Sequence, residues 1–165
     1  MKRIALLITA LFALLAIPAF SRDRPTADIV RGQFDRINRH VLEMAKDFPE
    51  DKYDYRLKPE MRSFGELIVH IAGGNVYAAK AGRGEKVEWT DLDPKNYKTK
   101  AEIVAMFEKT MQDADATLKG LPDASFAKTV DPWFEVTEHS AEHYGLLVAY
   151  YRANGLVPPS SRPKK

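Results

Sequence analysis

The sequence predicts an all-α protein, a four-helix bundle preceded by a cleavable signal peptide. Apolar residues recur at spacings of three and four in four separate segments, which is the period of an amphipathic helix. Two of these segments begin with a capping-box sequence. Linkers at 50–62 and 82–98 are rich in charged residues, each contains a proline, and neither shows the alternation of strands, so we expect them to act as crossovers between helices.

The first 21 residues read as a secretory signal peptide. Lys2 and Arg3 precede the apolar run Ile4–Ile17, and Pro18–Ser21 supplies a helix breaker followed by small residues near the expected cut. The alternative is a membrane anchor, but the run is shorter than the ~20 residues that a spanning helix needs. We therefore expect export to the periplasm or secretion, with no membrane association after cleavage at about Ser21.

Composition limits the classes of function. The chain has 25 basic and 23 acidic residues, and removal of Lys2 and Arg3 with the leader leaves 23 of each. A neutral mature chain lacks the clustered basic charge of a nucleic-acid-binding protein. The absence of cysteine excludes a disulfide and a thiol nucleophile. About 144 residues remain, the size of one domain, which we place at 22–158, followed by a polar tail at 159–165.

The first two helices have clear boundaries. The first runs from about Asp28 to Phe48, before Pro49 closes the segment. The second begins at Ser63, whose hydroxyl would accept from the amide of Glu66 while the Glu66 carboxylate reaches back to the amide of Ser63. Both helices carry one apolar stripe, as expected for helices that pack in a bundle.

The third and fourth helices follow the same rules. The third begins with a second capping box, Thr99 and Glu102, and ends at Gly120–Pro122. The fourth begins between Asp131 and Val136 and ends near Gly155, a residue suited to a left-handed C-terminal cap.

Three histidines occupy apolar surroundings. His139 and His143 are four residues apart, so they lie on one face of the fourth helix and can bind one divalent ion. His70 lies within the apolar stretch of the second helix, beside Gly73 and Gly74, which leave room for an ion or for a neighbouring helix. The alternative is that these are partly buried histidines satisfied by hydrogen bonds. The fourth histidine lies off the first helix's stripe and is predicted to be a surface residue.

Two segments of this sequence resemble a known family. A capped helix reading MRSFGELIVHIAGGN and a last helix reading EHSAEHYGLLVAYYRANG resemble the DinB-like superfamily of metal-dependent four-helix-bundle proteins, and the resemblance covers the whole mature chain. It implies an up-down-down-up bundle in which His70, His139 and His143 hold a divalent metal ion, with zinc or nickel expected. Homodimers are common in similar proteins, so a homodimer is a further expectation.

This ligand set predicts a metal-dependent hydrolase acting on a small molecule. Three neutral imidazoles leave an open position at which water can be activated or a carbonyl or phosphoryl oxygen polarised. Four nearby acids are candidates to orient an imidazole or act as a base, or are simply solvated: Glu66, Glu135, Glu138 and Glu142. The Glu-x-x-His pairs of di-iron bundles and the HExxH of zincin proteases are absent.

Three alternatives stay open. The bundle is a non-catalytic metal- or small-ligand-binding protein of the cell envelope, or a thiol-dependent transferase, as the resemblance also allows. Export disfavours the transferase because reduced small thiols are scarce outside the cytoplasm. In the third alternative the three histidines never meet, and the bundle is an interaction module. No site for an organic cofactor is predicted.

Overall fold

The computed structural model describes residues 27–163, and the predicted leader lies outside them. This part of the chain forms five α-helices and no strand, which confirms the all-α prediction. The helices are α1 Ala27–Asp47, α2 Phe64–Gly82, α3 Lys100–Gly120, α4 Asp123–Phe126 and α5 Asp131–Ala153. Three short 3-10 helices lie outside them, at Glu50–Lys52, Pro94–Asn96 and Pro159–Ser161. No helix within 27–163 has both the length and the apolar character needed to cross a membrane.

The helix ends follow the capping chemistry. The Glu66 amide donates to Ser63 Oγ at 3.2 Å, and the Ser63 amide donates to the Glu66 carboxylate at 2.7 Å. Thr99 and Glu102 form the same reciprocal pair at the start of α3. After α5, Gly155 adopts a φ of +70°, the left-handed conformation expected of a C-terminal cap. The single-turn α4 was not predicted, because four residues are too few to show a helical period.

The first pair of antiparallel helices is α1 and α3. Arg31 near the start of α1 meets Asp115 near the end of α3, and the Lys100 side chain at the start of α3 donates to the carbonyl of Phe48 just after α1. Consecutive helices α1 and α2 are diagonal across the bundle, because each packs mainly against α3 and α5.

The second antiparallel pair is α2 and α5. Gly82 at the end of α2 packs on Trp133 at the start of α5, whereas Phe64 at the start of α2 packs on Tyr150 near the end of α5. The Phe34 ring of α1 also contacts the Trp133 ring. The four long helices therefore run up, down, down and up in chain order, as the family resemblance implied.

Two apolar clusters fill the interior. One is rich in aromatic residues and includes Phe48 and Phe64, whose rings stack with centroids 3.8 Å apart. The other surrounds Trp133 and contains several alanines of α2 and α3. On α5, Val136 belongs to one cluster and Leu147 to the other, so His139 and His143 lie between them.

Part of the segment assigned to the polar tail is bound to the bundle. Both terminal nitrogens of Arg162 donate to the carboxylate of Asp47 on α1, at 2.8 and 2.5 Å. This interaction is the largest cause of the lowered pKa of Asp47. The hydroxyl of Ser160 lies 2.5 Å from that of Tyr144. The chain after α5 thus returns across α1 instead of extending into solvent, at least as far as Pro163.

Candidate metal centre

The three predicted histidines meet between α2 and α5. The Nε2 atom of His70 lies 3.1 Å from Nε2 of His143 and 3.0 Å from Nε2 of His139. Two nitrogens that each lie about 2.0–2.1 Å from one zinc ion are roughly 2.8–3.4 Å apart, for angles between octahedral and tetrahedral. All three candidate ligand atoms fall within 4.8 Å of one another. The alternative in which the histidines never meet is therefore wrong.

The helix geometry explains this convergence. His139 and His143 are one turn apart on α5 and project from one face, while His70 approaches from the antiparallel α2. The ring centroid of His70 lies 4.8 Å from the ring centroid of each of the two α5 histidines. Only 14% of the His70 side chain is exposed. The helices thus hold the imidazoles in a partly buried cluster that opens to solvent on one side.

His70 has a carboxylate partner that sequence reasoning missed. The Nδ1 atom of His70 lies 2.8 Å from Oδ1 of Asp91, in the linker after α2, and Oδ2 of Asp91 accepts from Arg62 at 3.0 Å. Burial opposes ionisation of Asp91, but the hydrogen bond to His70 and the charge of Arg62 together lower its pKa. An ionised carboxylate only accepts hydrogen bonds, so His70 donates through Nδ1, and its Nε2 atom faces the other two histidines.

Burial keeps the two histidines of α5 neutral. Burial, together with the neighbouring His143 and His70, lowers the pKa of His139 from its ordinary 6.5 to about 4. Burial also lowers the pKa of His143, with contributions from His70 and Arg62. At neutral pH both rings therefore carry a lone pair and no charge, which is the protonation state that a metal ligand needs.

The two glycines after His70 make room for the linker. A Cβ atom on Gly73 would lie 3.3 Å from the carbonyl oxygen of Thr90 and 3.5 Å from Cα of Asp91. A Cβ on Gly74 would lie 2.6 Å from the ring of Trp89. Sequence analysis expected these glycines to leave space for an ion, a ligand or a neighbouring helix. A neighbouring helix is present, since a Cβ on Gly74 would also lie 3.1 Å from Cγ2 of Val136 on α5. The linker segment 89–92 lies against the same face and brings Trp89 and Asp91 to the histidines.

Trp89 covers His139. The two rings meet edge to face with centroids 4.6 Å apart, and Tyr77 stacks on the other side of Trp89 at 5.0 Å. The Nδ1 atom of His139 is buried and has no hydrogen-bond partner among residues 27–163. His139 is therefore held by packing, whereas His70 is held by a charged hydrogen bond.

Three of the four predicted acids lie at the mouth of the site. An open cleft of about 510 Å³ is lined by His70, His139, Trp89 and four carboxylates, namely Asp91, Glu135, Glu138 and Glu142. Glu135 accepts a hydrogen bond from the Tyr77 hydroxyl at 3.1 Å, and all three glutamates are exposed.

The fourth predicted acid lies elsewhere. Besides capping α2, the carboxylate of Glu66 accepts from Arg56 at 2.6 Å, and it does not line this cleft. Its position, one turn before His70, placed it near the site in sequence, but the capping contact turns it towards the start of the helix. Asp91 occupies the place beside an imidazole for which Glu66 was a candidate. His40 does not belong to the cluster, as predicted. It is not a fully exposed surface residue, however, because its ring lies 5.7 Å from that of Tyr144 and its side chain is 34% exposed.

Comparison with known proteins agrees with this architecture. No curated protein matches the chain. A family model described as the DinB superfamily matches residues 33–152, which is most of the chain and includes all three clustered histidines. The match confirms the resemblance seen in the sequence. The chain belongs to the DinB superfamily.

Proposed function

We propose that the protein binds one divalent metal ion through His70, His139 and His143. We further propose that it is a hydrolase that uses this ion to activate water. The observation that carries this proposal is the convergence of three Nε2 atoms at separations that suit a shared ion. Membership of a superfamily that is generally metal-binding supports it. Zinc or nickel is the proposed metal, because neutral imidazoles suit both.

The residues present fit such an ion. Two of the rings are held neutral by burial, and the third has its Nδ1 hydrogen bonded to Asp91, so each imidazole is able to offer one nitrogen to a shared ion. No cysteine exists to close the site as a structural zinc centre. When bound, the ion would supply Lewis acidity at an open position and lower the pKa of a coordinated water.

The cleft provides groups for the remaining chemistry. Glu138 and Glu142 are exposed carboxylates beside the histidines, and either is able to accept a proton from water at neutral pH. Trp89 lines the cleft and offers an aromatic surface to the apolar part of a small substrate, and Tyr77 supports it by stacking on its ring. We assign the proton-accepting role to this pair of acids and not to Glu135, which is already bound to Tyr77.

A second candidate function is metal or small-ligand binding without turnover. The breadth of the cleft favours it, because an open site does not exclude water from the histidines. The two candidates differ in turnover alone, so a metal measurement and a substrate screen together separate them.

The first experiment measures the metal content of the purified mature protein, 22–165, after exposure to zinc or nickel. We expect about one ion per chain in the wild type and in His40→Ala, whose histidine lies outside the cluster, and loss of the ion in His70→Ala and His143→Ala. Circular dichroism checks that each variant is folded. No stoichiometric metal in the wild type, even after reconstitution, would overturn the proposed site.

The second experiment screens ester, amide and phosphoester hydrolysis with the metal-loaded protein. Turnover that disappears in His143→Ala and persists in His40→Ala supports the hydrolase. A metal-loaded protein without turnover across the panel supports the binding function instead. Adding small thiols as co-substrates in the same screen tests the thiol-dependent transferase that the family resemblance allows.

We also propose export and a homodimeric assembly. The leader at 1–21 carries the export proposal, and mass spectrometry of the N-terminus of the exported protein tests it. A mature chain that begins near Arg22 supports cleavage, whereas an intact N-terminus contradicts it. Size-exclusion chromatography with light scattering tests the homodimer.

A further inference from the structure

We infer that Asp91 is a positioning residue of the metal centre, and that the linker segment 89–92 lies against α2 so that the Asp91 carboxylate reaches His70. This inference rests on the proposed function, since it concerns the residue that prepares one ligand. It goes beyond that function by assigning a role to a residue outside the helices that carry the histidines.

The first step is the contact itself. Oδ1 of Asp91 lies 2.8 Å from Nδ1 of His70, the nitrogen that faces away from the cluster. A neutral imidazole carries its proton on one nitrogen, and a carboxylate acceptor at Nδ1 selects the tautomer with its lone pair on Nε2. That Nε2 atom is the one 3.0–3.1 Å from the other two histidines. The contact thus selects the tautomer that is competent to bind a metal.

The second step is the support of Asp91. Its other oxygen, Oδ2, accepts a hydrogen bond from Arg62 at 3.0 Å. Arg62 lies just before the cap of α2, and its backbone carbonyl in turn accepts from the Tyr150 hydroxyl of α5. The carboxylate is therefore held at both oxygens, which limits its rotation and maintains the direction of the His70 contact.

The third step is the space made for the linker. The Gly73 position would bring a Cβ to 3.3 Å from the Thr90 carbonyl, and the Gly74 position would overlap the Trp89 ring. Glycine within a helix is less favourable than alanine, because it loses more conformational freedom on folding, so two adjacent glycines destabilise α2. Their cost is explained if the linker has to lie directly on this face, one turn from His70.

The test compares Asp91→Asn with a matched control, Asp93→Asn. Both substitutions remove one carboxylate from the same linker, but Asp93 contacts the amide of Lys95 and no histidine. Asparagine is nearly isosteric with aspartate and adds an N–H donor, which favours the wrong tautomer of His70. Asp91→Ala serves as a second variant without any hydrogen-bonding group.

Two measurements decide the question. The first is zinc affinity, by competition with a chromophoric chelator; we expect a loss of about 10–100-fold in both Asp91 variants and none in Asp93→Asn. The second is the tautomer of His70 in the metal-free protein, from ¹⁵N NMR at pH 8. We expect the Nδ1–H form in the wild type and in Asp93→Asn, and a shift towards the Nε2–H form in the Asp91 variants.

The outcomes separate this inference from the proposed function. Unchanged zinc affinity in both Asp91 variants, or a His70 tautomer that does not respond to them, would overturn the positioning role. A wild-type protein that binds no metal would overturn the proposed function. In that case the NMR comparison still decides whether Asp91 sets the tautomer of His70.

Discussion

The two antiparallel helix pairs of the bundle use polar side chains in opposite ways. Between α1 and α3, charged partners lie at the solvent edge: Arg31 binds Asp115 at 2.9 Å, and Lys46 binds Glu108 at 3.2 Å. Between α2 and α5, three imidazoles occupy positions that an ordinary bundle would fill with apolar residues. The first pair places opposite charges next to each other, whereas the second brings three imidazoles together.

This difference indicates which helix pair would gain from a bound ion. Exposed ion pairs contribute little to stability, typically about 0–1 kcal/mol, and are complete without a further group. Three imidazoles that converge from two helices, with His70 Nε2 lying 3.0 and 3.1 Å from the other two, form a group that a cation would complete. The ion pairs between α1 and α3 are therefore complete as they stand, and the proposed site lies between α2 and α5.

The largest expected effect is metal-dependent stabilisation of the α2–α5 pair. Zinc at about 100 times its dissociation constant adds about 2.7 kcal/mol to the free energy of unfolding, because it binds only the folded state. Thermal denaturation with zinc, and then with excess chelator, measures the gain and its reversal. His139→Ala abolishes the gain, whereas Arg31→Met in the other helix pair retains it; equal gains in both variants would contradict a site at the histidines.

A second prediction compares glycines in the two pairs. Gly74→Ala forces a Cβ to within 2.6 Å of the Trp89 ring, so we expect a loss of about 1–3 kcal/mol in the free energy of unfolding. Gly32→Ala on α1 meets nothing within 4 Å and should gain about 0.5–1 kcal/mol from helix propensity. Chemical denaturation of both variants checks the opposite signs. A gain at Gly74 would mean that the linker is not seated as described.

A third prediction concerns acid. The pKa of His139 is lowered from 6.5 to about 4. As the pH falls, this imidazole therefore binds a proton near pH 6.5 in the unfolded chain but only near pH 4 in the metal-free folded chain. The stability of the metal-free protein should therefore fall as pH decreases through this window and be unaffected by this group above it. Melting temperatures between pH 7.5 and 4.5 test this. His139→Gln should flatten the dependence, and an equally steep fall in that variant would refute the assignment.

The smallest effect is expected in the α1–α3 pair. Lys46→Met breaks a half-exposed ion pair with Glu108 and should change the free energy of unfolding by less than about 1 kcal/mol. The change should shrink further in high salt, because screening weakens exposed pairs. Urea denaturation at low and high salt measures it, with zinc affinity as a second readout. A clear loss of zinc affinity would show that the two helix pairs are coupled.

The histidine cluster was predictable because its members have local sequence signals. His139 and His143 repeat at the helical spacing, and His70 interrupts an apolar stripe, so each is unusual within its own helix. The caps at Ser63 and Thr99 were predictable for the same reason, since their partners lie three residues away. Contacts within one or two turns of a helix join residues three or four apart, so they are visible as a spacing pattern in the sequence.

Asp91 and Arg162 have no such trace. Asp91 meets His70 across 21 residues, from a linker without periodicity, and Arg162 meets Asp47 across 115 residues. The signal that pointed towards Asp91 was the Gly73–Gly74 pair, which indicated a close approach without saying what approaches. The linker contains several acids, so the glycine pair could not identify which of them meets His70.

By itself, the sequence determined four long helices, their capped ends and the three imidazoles that a bundle would bring into one layer. Helical period and capping are local properties of the chain, so local patterns were sufficient. The tertiary structure decided that the linker lies on α2, that Asp91 and not Glu66 meets His70, and that the chain end returns to α1. These contacts depend on the paths of irregular segments, which are set by packing against helices far away in sequence.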